Sequence, residues 1–200
     1  MISIEEALNR LRKGNKRFVS DSSIFNNALS HKNRRHSLAE DQDPFAIILG
    51  CSDSRVPSEI IFDQGLGDLF VVRVAGNIVA PSQIGSIEFA VERFGAKLVV
   101  VMGHSRCGAI QATLDSLRCP SDNQSKNLRS IVDRIRPSLE LLDIDQDPEI
   151  TLQQAVRANI HSSVSQLQHE SRVLEQLIKK DDLLILGAEY SLDTGIVNFL

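Results

Sequence analysis

The chain has 200 residues, 42% hydrophobic and 24% charged, with a net charge of −4 from 22 basic and 26 acidic side chains. That length suits one soluble domain, whose core buries about 70% of the unfolded surface. The mild acidity argues against nucleic acid as a partner, and no apolar run approaches the ~18 residues that span a membrane.

The start, Met1-Ile2-Ser3-Ile4-Glu5-Glu6, lacks the basic and apolar regions of a signal peptide, and the three cysteines form no paired framework. Both features point to the reducing cytoplasm. Ser3-Ile4-Glu5-Glu6 is a capping box, and Ile4, Ala7, Leu8 and Leu11 then share one helical face. This predicts a helix from Ile4 to the neighbourhood of Phe18. Residues 20–44 read as a polar, irregular arm closed by Pro44, long enough to wrap a second subunit. Within the arm, Lys32-Asn33-Arg34-Arg35-His36 is a basic run, read as a solvated surface. Residues 1–44 are thus a helix and arm suited to a dimer contact, and 45–200 the α/β remainder of a single domain.

Phe45–Leu49 is a solidly apolar strand, followed at once by Cys51. Asp68–Val74 is a second strand. Ile84–Phe94 reads as a helix stopped by Gly95. Leu98–Met102 is a third strand, ending at Gly103-His104. Ala109–Leu117 reads as helical, 119–127 as a polar loop, and Leu128–Leu142 as a helix kinked or broken at Pro137. Leu152–Ile178 reads as one long helix with room for an interruption. Leu183–Gly187 is a fourth strand, Asp193-Thr194-Gly195 a turn, and Ile196–Phe199 a closing edge strand. Solidly apolar strands alternating with helices predict an α/β fold with a mainly parallel central sheet flanked by helices. Ligand sites in such sheets gather outside the carboxyl ends of strands.

Two strings follow strands: Cys51-Ser52-Asp53-Ser54-Arg55 and Gly103-His104-Ser105-Arg106-Cys107-Gly108. Together they offer two thiolates, an imidazole and a carboxylate, a set that suits zinc. A buried cysteine is often only a small apolar filler, and a lone His-x-x-Cys is weak evidence. A Cys-x-Asp-x-Arg after a separate strand makes the combination a metal site. The fourth position falls to Asp53 or to solvent. Arg55 gives Asp53 a competing partner, so three firm ligands and one exchangeable one read as catalytic. Cys119 lies outside both strings and reads as a bystander.

The strings do not stand alone. Leu11-x-x-Gly14-Asn15-x-x-Phe18, Gly67-Asp68-Leu69-Phe70-Val71-Val72-Arg73, Ala75-Gly76-Asn77 and Ser86-Ile87-Glu88-Phe89-Ala90-Val91 accompany them in fixed order. Over roughly residues 4–199 this combination resembles the β-class carbonic anhydrases. The resemblance implies a carbonate dehydratase, a zinc hydro-lyase holding one zinc ion per chain on Cys51, His104 and Cys107. It implies reversible hydration of carbon dioxide to bicarbonate and a proton, by zinc-bound hydroxide that an Asp53/Arg55 pair orients. Asp53 either joins the metal as a fourth ligand and blocks the site, or turns to Arg55 and admits water.

Gln42, Phe70, Phe89 and Gly108 match the substrate-facing positions, with Phe89 standing where many relatives have tyrosine. The resemblance also implies a dimer or tetramer with the pocket near a subunit boundary. Some relatives bind bicarbonate at a second site of tryptophan, arginine and tyrosine. Arg73 and Tyr190 match two of these, but Ile48 stands at the tryptophan. The chain is therefore expected to lack that regulation, with Arg73 in a structural role beside an acidic neighbour. His31, His36, His161 and His169 read as exposed, and none is assigned as a proton shuttle. Two rivals remain: hydrolysis of carbonyl sulfide or carbon disulfide on the same scaffold, which a substrate panel separates, and a non-catalytic zinc-stabilised module, for which a releasable Asp53 has no use.

Overall fold

A computed structural model describes residues 2–24, 32–119, 125–144 and 146–200. His31 and part of the expected arm lie outside these residues. The first helix, α1 (Ile4–Val19), begins as the capping box requires: the Ser3 hydroxyl accepts from the Glu6 N–H at 3.1 Å. Glu5 and Glu6 then sit at its positive end and Lys16 and Arg17 at its negative end.

Its inward side buries Ala7 and Leu11 against the chain's own sheet. At Gly14 the helix closes on the backbone: a Cβ there would lie 1.7 Å from the Phe62 carbonyl oxygen. The neighbouring Asn15 amide donates to the carbonyls of Ile61 (3.2 Å) and Gly195 (2.8 Å) and accepts from the Val197 N–H (2.9 Å). One buried side chain thus ties the amino-terminal helix to the carboxy-terminal strand.

The sheet has five strands: β1 (Ala46–Gly50), β2 (Leu69–Arg73), β3 (Leu98–His104), β4 (Leu184–Tyr190) and β5 (Val197–Phe199), in the order β2-β1-β3-β4-β5. All pairs are parallel except β4–β5, so β5 is the expected antiparallel edge. Alternation along each strand feeds two apolar layers. Ile47, Leu49, Val99 and Val101 face one, and Ala46, Ile48, Val100 and Met102 face the other.

The first layer is covered by α4 (Pro81–Phe94), α5 (Gly108–Arg118), α6 (Lys126–Leu139), α7 (Pro148–His169) and α8 (Arg172–Ile178). The second is covered by α1 and a short helix, α3 (Ser58–Ile61). Both faces being covered is why the strands carry no polar alternation. Among the described residues no helix is long and apolar enough to cross a membrane.

Several boundaries differ from those expected. The arm contains a helix, α2 (Lys32–Ser37), formed by the basic run. It is held where the Arg34 guanidinium donates to the Leu66 carbonyl and the Asp68 carboxylate, a contact that local pattern does not encode. Helix α4 starts at Pro81, before Ile84, because proline suits a first helical position. The single helix expected over 152–178 is two. Ser171 starts the second by accepting from the Leu174 N–H at 3.2 Å. Pro137 sits near the end of α6, and the helix stops at Leu139 rather than kinking. β3 runs on to His104, so that residue ends a strand instead of following one.

The close approach of α1 sets the first test. Gly14→Ala should cost at least about 2 kcal/mol in urea unfolding, because the backbone must part to admit one methyl group. Lys13→Ala, on the exposed side of the same helix, should change stability by no more than about 0.5 kcal/mol. Equal midpoints for the two variants would contradict the packing described.

Candidate metal centre

β1 and β3 are neighbours, with Gly50 opposite Met102, so their carboxyl ends lie side by side. From β1 the chain turns to β2 on one flank, and from β3 it crosses to β4 on the other. The crevice between such diverging connections is where open α/β sheets place ligands. Cys51 leaves the end of β1, and His104 closes β3. Cys107 caps α5 immediately afterwards.

Helix α7 presses onto this junction: a Cβ on Gly103 would lie 2.6 Å from Ile160. The absence of a side chain at Gly103 lets the helix sit directly behind His104. The ligand atoms of Cys51, His104 and Cys107 all lie within 4.8 Å of one another, and all three residues are buried. The Sγ–Sγ separation is 4.0 Å, well beyond the ~2.05 Å of a disulfide.

Two features show that this group suits a metal ion. The first is His104: its Nδ1 lies 3.0 Å from the Ser105 carbonyl, which fixes the ring, while Nε2 is buried with no hydrogen-bond partner among the described residues. A buried imidazole nitrogen left unpartnered carries a desolvation cost unless something binds it. The second is the sulfur pair. The Cys51 thiol is pulled well below its ordinary value, first by a hydrogen bond from Cys107 and then, against the opposing effect of burial, by the nearby His104 ring and by bonds from the Asp53 and Gly76 N–H groups. Cys107 is pushed the other way, because a second thiolate beside the first, in a buried place, is strongly opposed. The metal-free pair therefore holds one proton, and a cation is what allows both sulfurs to ionise.

Asp53 stands at the rim, its carboxylate turned onto Arg55. The guanidinium donates to both oxygens, Nε to Oδ1 at 2.9 Å and Nη2 to Oδ2 at 2.7 Å, and the Arg55 N–H adds a bond to Oδ1 at 3.0 Å. These bonds hold the carboxyl well below the usual carboxylate range. Asp53 Oδ2 is 4.0 Å from His104 Nε2, outside the Cys51/His104/Cys107 set. Arg73, expected beside an acidic neighbour, instead donates to two main-chain carbonyls, those of Cys51 (3.0 Å) and Asp53 (2.6 Å).

The four expected substrate residues lie differently. Gly108 follows Cys107 directly, and the space in front of its Cα is open. Phe70 pairs in register with Ile47, four positions short of Cys51 and so roughly 13 Å down the sheet. It packs against Phe94 and Phe89, and Phe89 is 53% exposed. Gln42 precedes β1 and lines a surface groove with Asp41, Arg93 and Phe94. These three do not meet the chain's own metal centre. Ile48, at the tryptophan position of some relatives, is fully buried in the second layer. Sequence reasoning missed the Ser105 carbonyl, the Gly76 N–H and the reach of Arg73. The first two are main-chain groups, which carry no residue signature.

Comparison with known proteins agrees in all parts of the chain. The family profile described as carbonic anhydrase matches residues 46–197. A carbonic anhydrase of Mycolicibacterium smegmatis is 39% identical over 190 residues, 94% of this chain and 88% of that one. Carbonic anhydrase 2 of Mycobacterium tuberculosis is 38% identical over 186 residues, 92% of this chain and 87% of that one. Among solved structures, a β-carbonic anhydrase of Aspergillus fumigatus superposes with a TM-score of 0.72 at 25% identity, covering 98% of this chain and 89% of that one. One of two tetrameric β-carbonic anhydrases of Sordaria macrospora gives 0.73 at 24% identity, with 91% and 94% covered.

The shared proton has a measurable consequence. Zinc uptake by the metal-free chain at neutral pH should release protons, because both thiols must ionise to hold the metal while the metal-free pair keeps a proton between them. A pH indicator in weak buffer reads this directly, and uptake with no proton release would contradict it. Cys51→Ser and Cys107→Ser should each lose zinc on dialysis, while the exposed Cys119 is replaceable by serine without loss.

Proposed function

The chain belongs to the β-class carbonic anhydrase family, and on that premise we propose that it hydrates carbon dioxide with one zinc ion held by Cys51, His104 and Cys107. Family membership makes it a carbonate dehydratase, interconverting carbon dioxide and bicarbonate. The observation that carries the zinc reading is the buried Cys51/His104/Cys107 set, whose imidazole Nε2 has no hydrogen-bond partner among the described residues. Two thiolates and one imidazole make three firm ligands, the number found in catalytic zinc sites. When bound there, zinc supplies a nucleophile by drawing the pKa of water from 15.7 down towards about 7, a magnitude established on a carbonic anhydrase with three histidines.

The chain's own residues do the rest. Asp53 presents a carboxylate whose direction is set by three hydrogen bonds from Arg55. It accepts a hydrogen bond from the attacking water and so points a lone pair at the carbon of the substrate. Its depressed pKa makes it an acceptor that orients rather than a base that keeps the proton, which must pass to buffer. Carbon dioxide is small and apolar, and the open space before Gly108 is a place for it beside the ligands.

We further read the chain as self-associating, in line with the tetrameric relative. The exposed Phe89, with Phe70 and Gln42, is then available to the metal centre of a second copy, and residues 1–44 to the contact itself. A reducing cytoplasm suits two thiols that must stay unoxidised to bind metal.

Stopped-flow hydration with a pH indicator tests this. Asp53→Ala should keep its zinc yet lose about 100-fold or more in turnover, as expected when a positioned transition-state hydrogen bond is removed. Wild-type turnover in that variant would remove Asp53 from the mechanism. Light scattering at micromolar concentration should give a mass at least twice that of one chain, and a monomer would remove the second copy from the pocket.

A further inference from the structure

The pair of bonds from Arg73 is not used by the reaction as derived, yet it grips the segment that carries Asp53. Arg73 ends β2, opposite Gly50. Its side chain reaches forward, past the end of β1, to the carbonyls of Cys51 and Asp53. Those two carbonyls bracket Ser52. The Asp53 carbonyl also closes a turn by accepting from the Val56 N–H at 3.1 Å. We propose that Arg73 is a positioning residue, fixing the turn from Cys51 to Val56 so that the Asp53 carboxylate faces Arg55 and stands off the metal ligands. The proposal rests on the zinc reading above.

The physical need for a second brace is plain. Asp53 Oδ2 is only 4.0 Å from the nitrogen that Nε2 offers a metal, and a carboxylate is drawn to a divalent cation. The opposing Arg55 side chain is 54% exposed, so solvent screens its charge and that part of its hold on Asp53. Holding the main chain on both sides of Ser52 limits the directions open to the Asp53 side chain, whatever the strength of that pair. The fork of an arginine, Nε to one carbonyl and Nη2 to the other, spans two acceptors that the single ammonium of lysine would not bridge in fixed geometry.

The test compares zinc-loaded wild type with Arg73→Ala, Arg73→Lys, Asp53→Ala and the Asp53→Ala/Arg73→Ala double variant. Arg73→Ala should keep its zinc and its melting temperature within a few degrees, and lose about tenfold in kcat with KM changed less than about twofold, the scale of charge-assisted hydrogen bonds partly open to solvent. Arg73→Lys should not restore the rate. In the Asp53→Ala background, replacing Arg73 should cost less than about twofold, because the residue acts through Asp53.

A second readout does not depend on turnover. In the cobalt(II)-substituted protein, added azide should shift the visible spectrum of wild type. The shift should need about tenfold more azide in Arg73→Ala, where the carboxylate competes for the open position, and return to the wild-type range in the double variant. A tenfold loss that persists without Asp53, or one that tracks lost metal or melting temperature, would overturn the proposal. So would an azide response in Arg73→Ala equal to wild type. If zinc-loaded wild type does not hydrate carbon dioxide, the functional reading fails by itself, and the cobalt spectra still judge Arg73.

Discussion

Two sulfur atoms 4.0 Å apart, buried beside an imidazole nitrogen with no hydrogen-bond partner among the described residues, make a demand that the rest of the structure serves. In a low-dielectric interior two thiolates repel strongly, and each loses its hydration. A divalent cation removes both objections at once. To hold such a cation, the three side chains from two distant segments have to be gathered in one place beforehand. The N–H groups of Asp53 and Gly76 on Cys51, and the Ser105 carbonyl at His104, do this with main-chain atoms. Such supports cannot be lost by side-chain rotation, which suits a site that must be nearly formed in advance.

The sheet explains why those segments meet. Parallel strands need long crossovers, so residues far apart in sequence end at the same edge. The sites after β1 and β3 are separated by more than fifty residues in the chain and by one strand spacing in the sheet. Helix α7 seals the back of this junction, with Ile160 against both Gly103 and Gly187. It also reaches the turn after β2, where the Asn159 amide donates to the Gly76 carbonyl at 2.8 Å. Gly76 in turn presents its N–H to Cys51. One helix thereby couples the packing of the first layer to the electrostatics of a ligand.

The rim obeys a different rule from the interior. The ligands are buried and held by short-range packing, whereas Asp53, Arg55 and Arg73 are reached by solvent and held by hydrogen bonds. The orienting role proposed for Asp53 suits this half-exposed state, because full burial would neutralise the carboxylate and full exposure would leave its direction unset. The bonds around the Cys51–Val56 turn are a compromise between those limits. Further down the same β2 strand that ends in Arg73, Phe70 packs with Phe89 and Phe94 and leaves Phe89 largely exposed.

Much of this was legible in the amino-acid order. Apolar runs such as Phe45–Leu49 and Leu98–Met102 announced buried parallel strands, because burial on both faces leaves no polar alternation to hide them. Ser3 and Glu6 announced α1, and Cys51, His104 and Cys107 announced a group that could hold a metal, which the fold gathers in one place, because few other chemistries use those side chains at those spacings. What the sequence could not carry is whatever depends on main-chain atoms or on distance through space. The α2 helix depends on Asp68, a partner more than thirty residues away, and the extension of β3 to His104 depends on its pairing with β4. Arg73 reads as an arginine beside an acidic neighbour until the fold brings it to the carbonyls of Cys51 and Asp53. Residue types therefore determined which atoms can bind and react. The direction of Asp53 and the separation of Gln42, Phe70 and Phe89 from the ligands were decided only by tertiary structure, since backbone carbonyls and sheet register have no letter in the sequence.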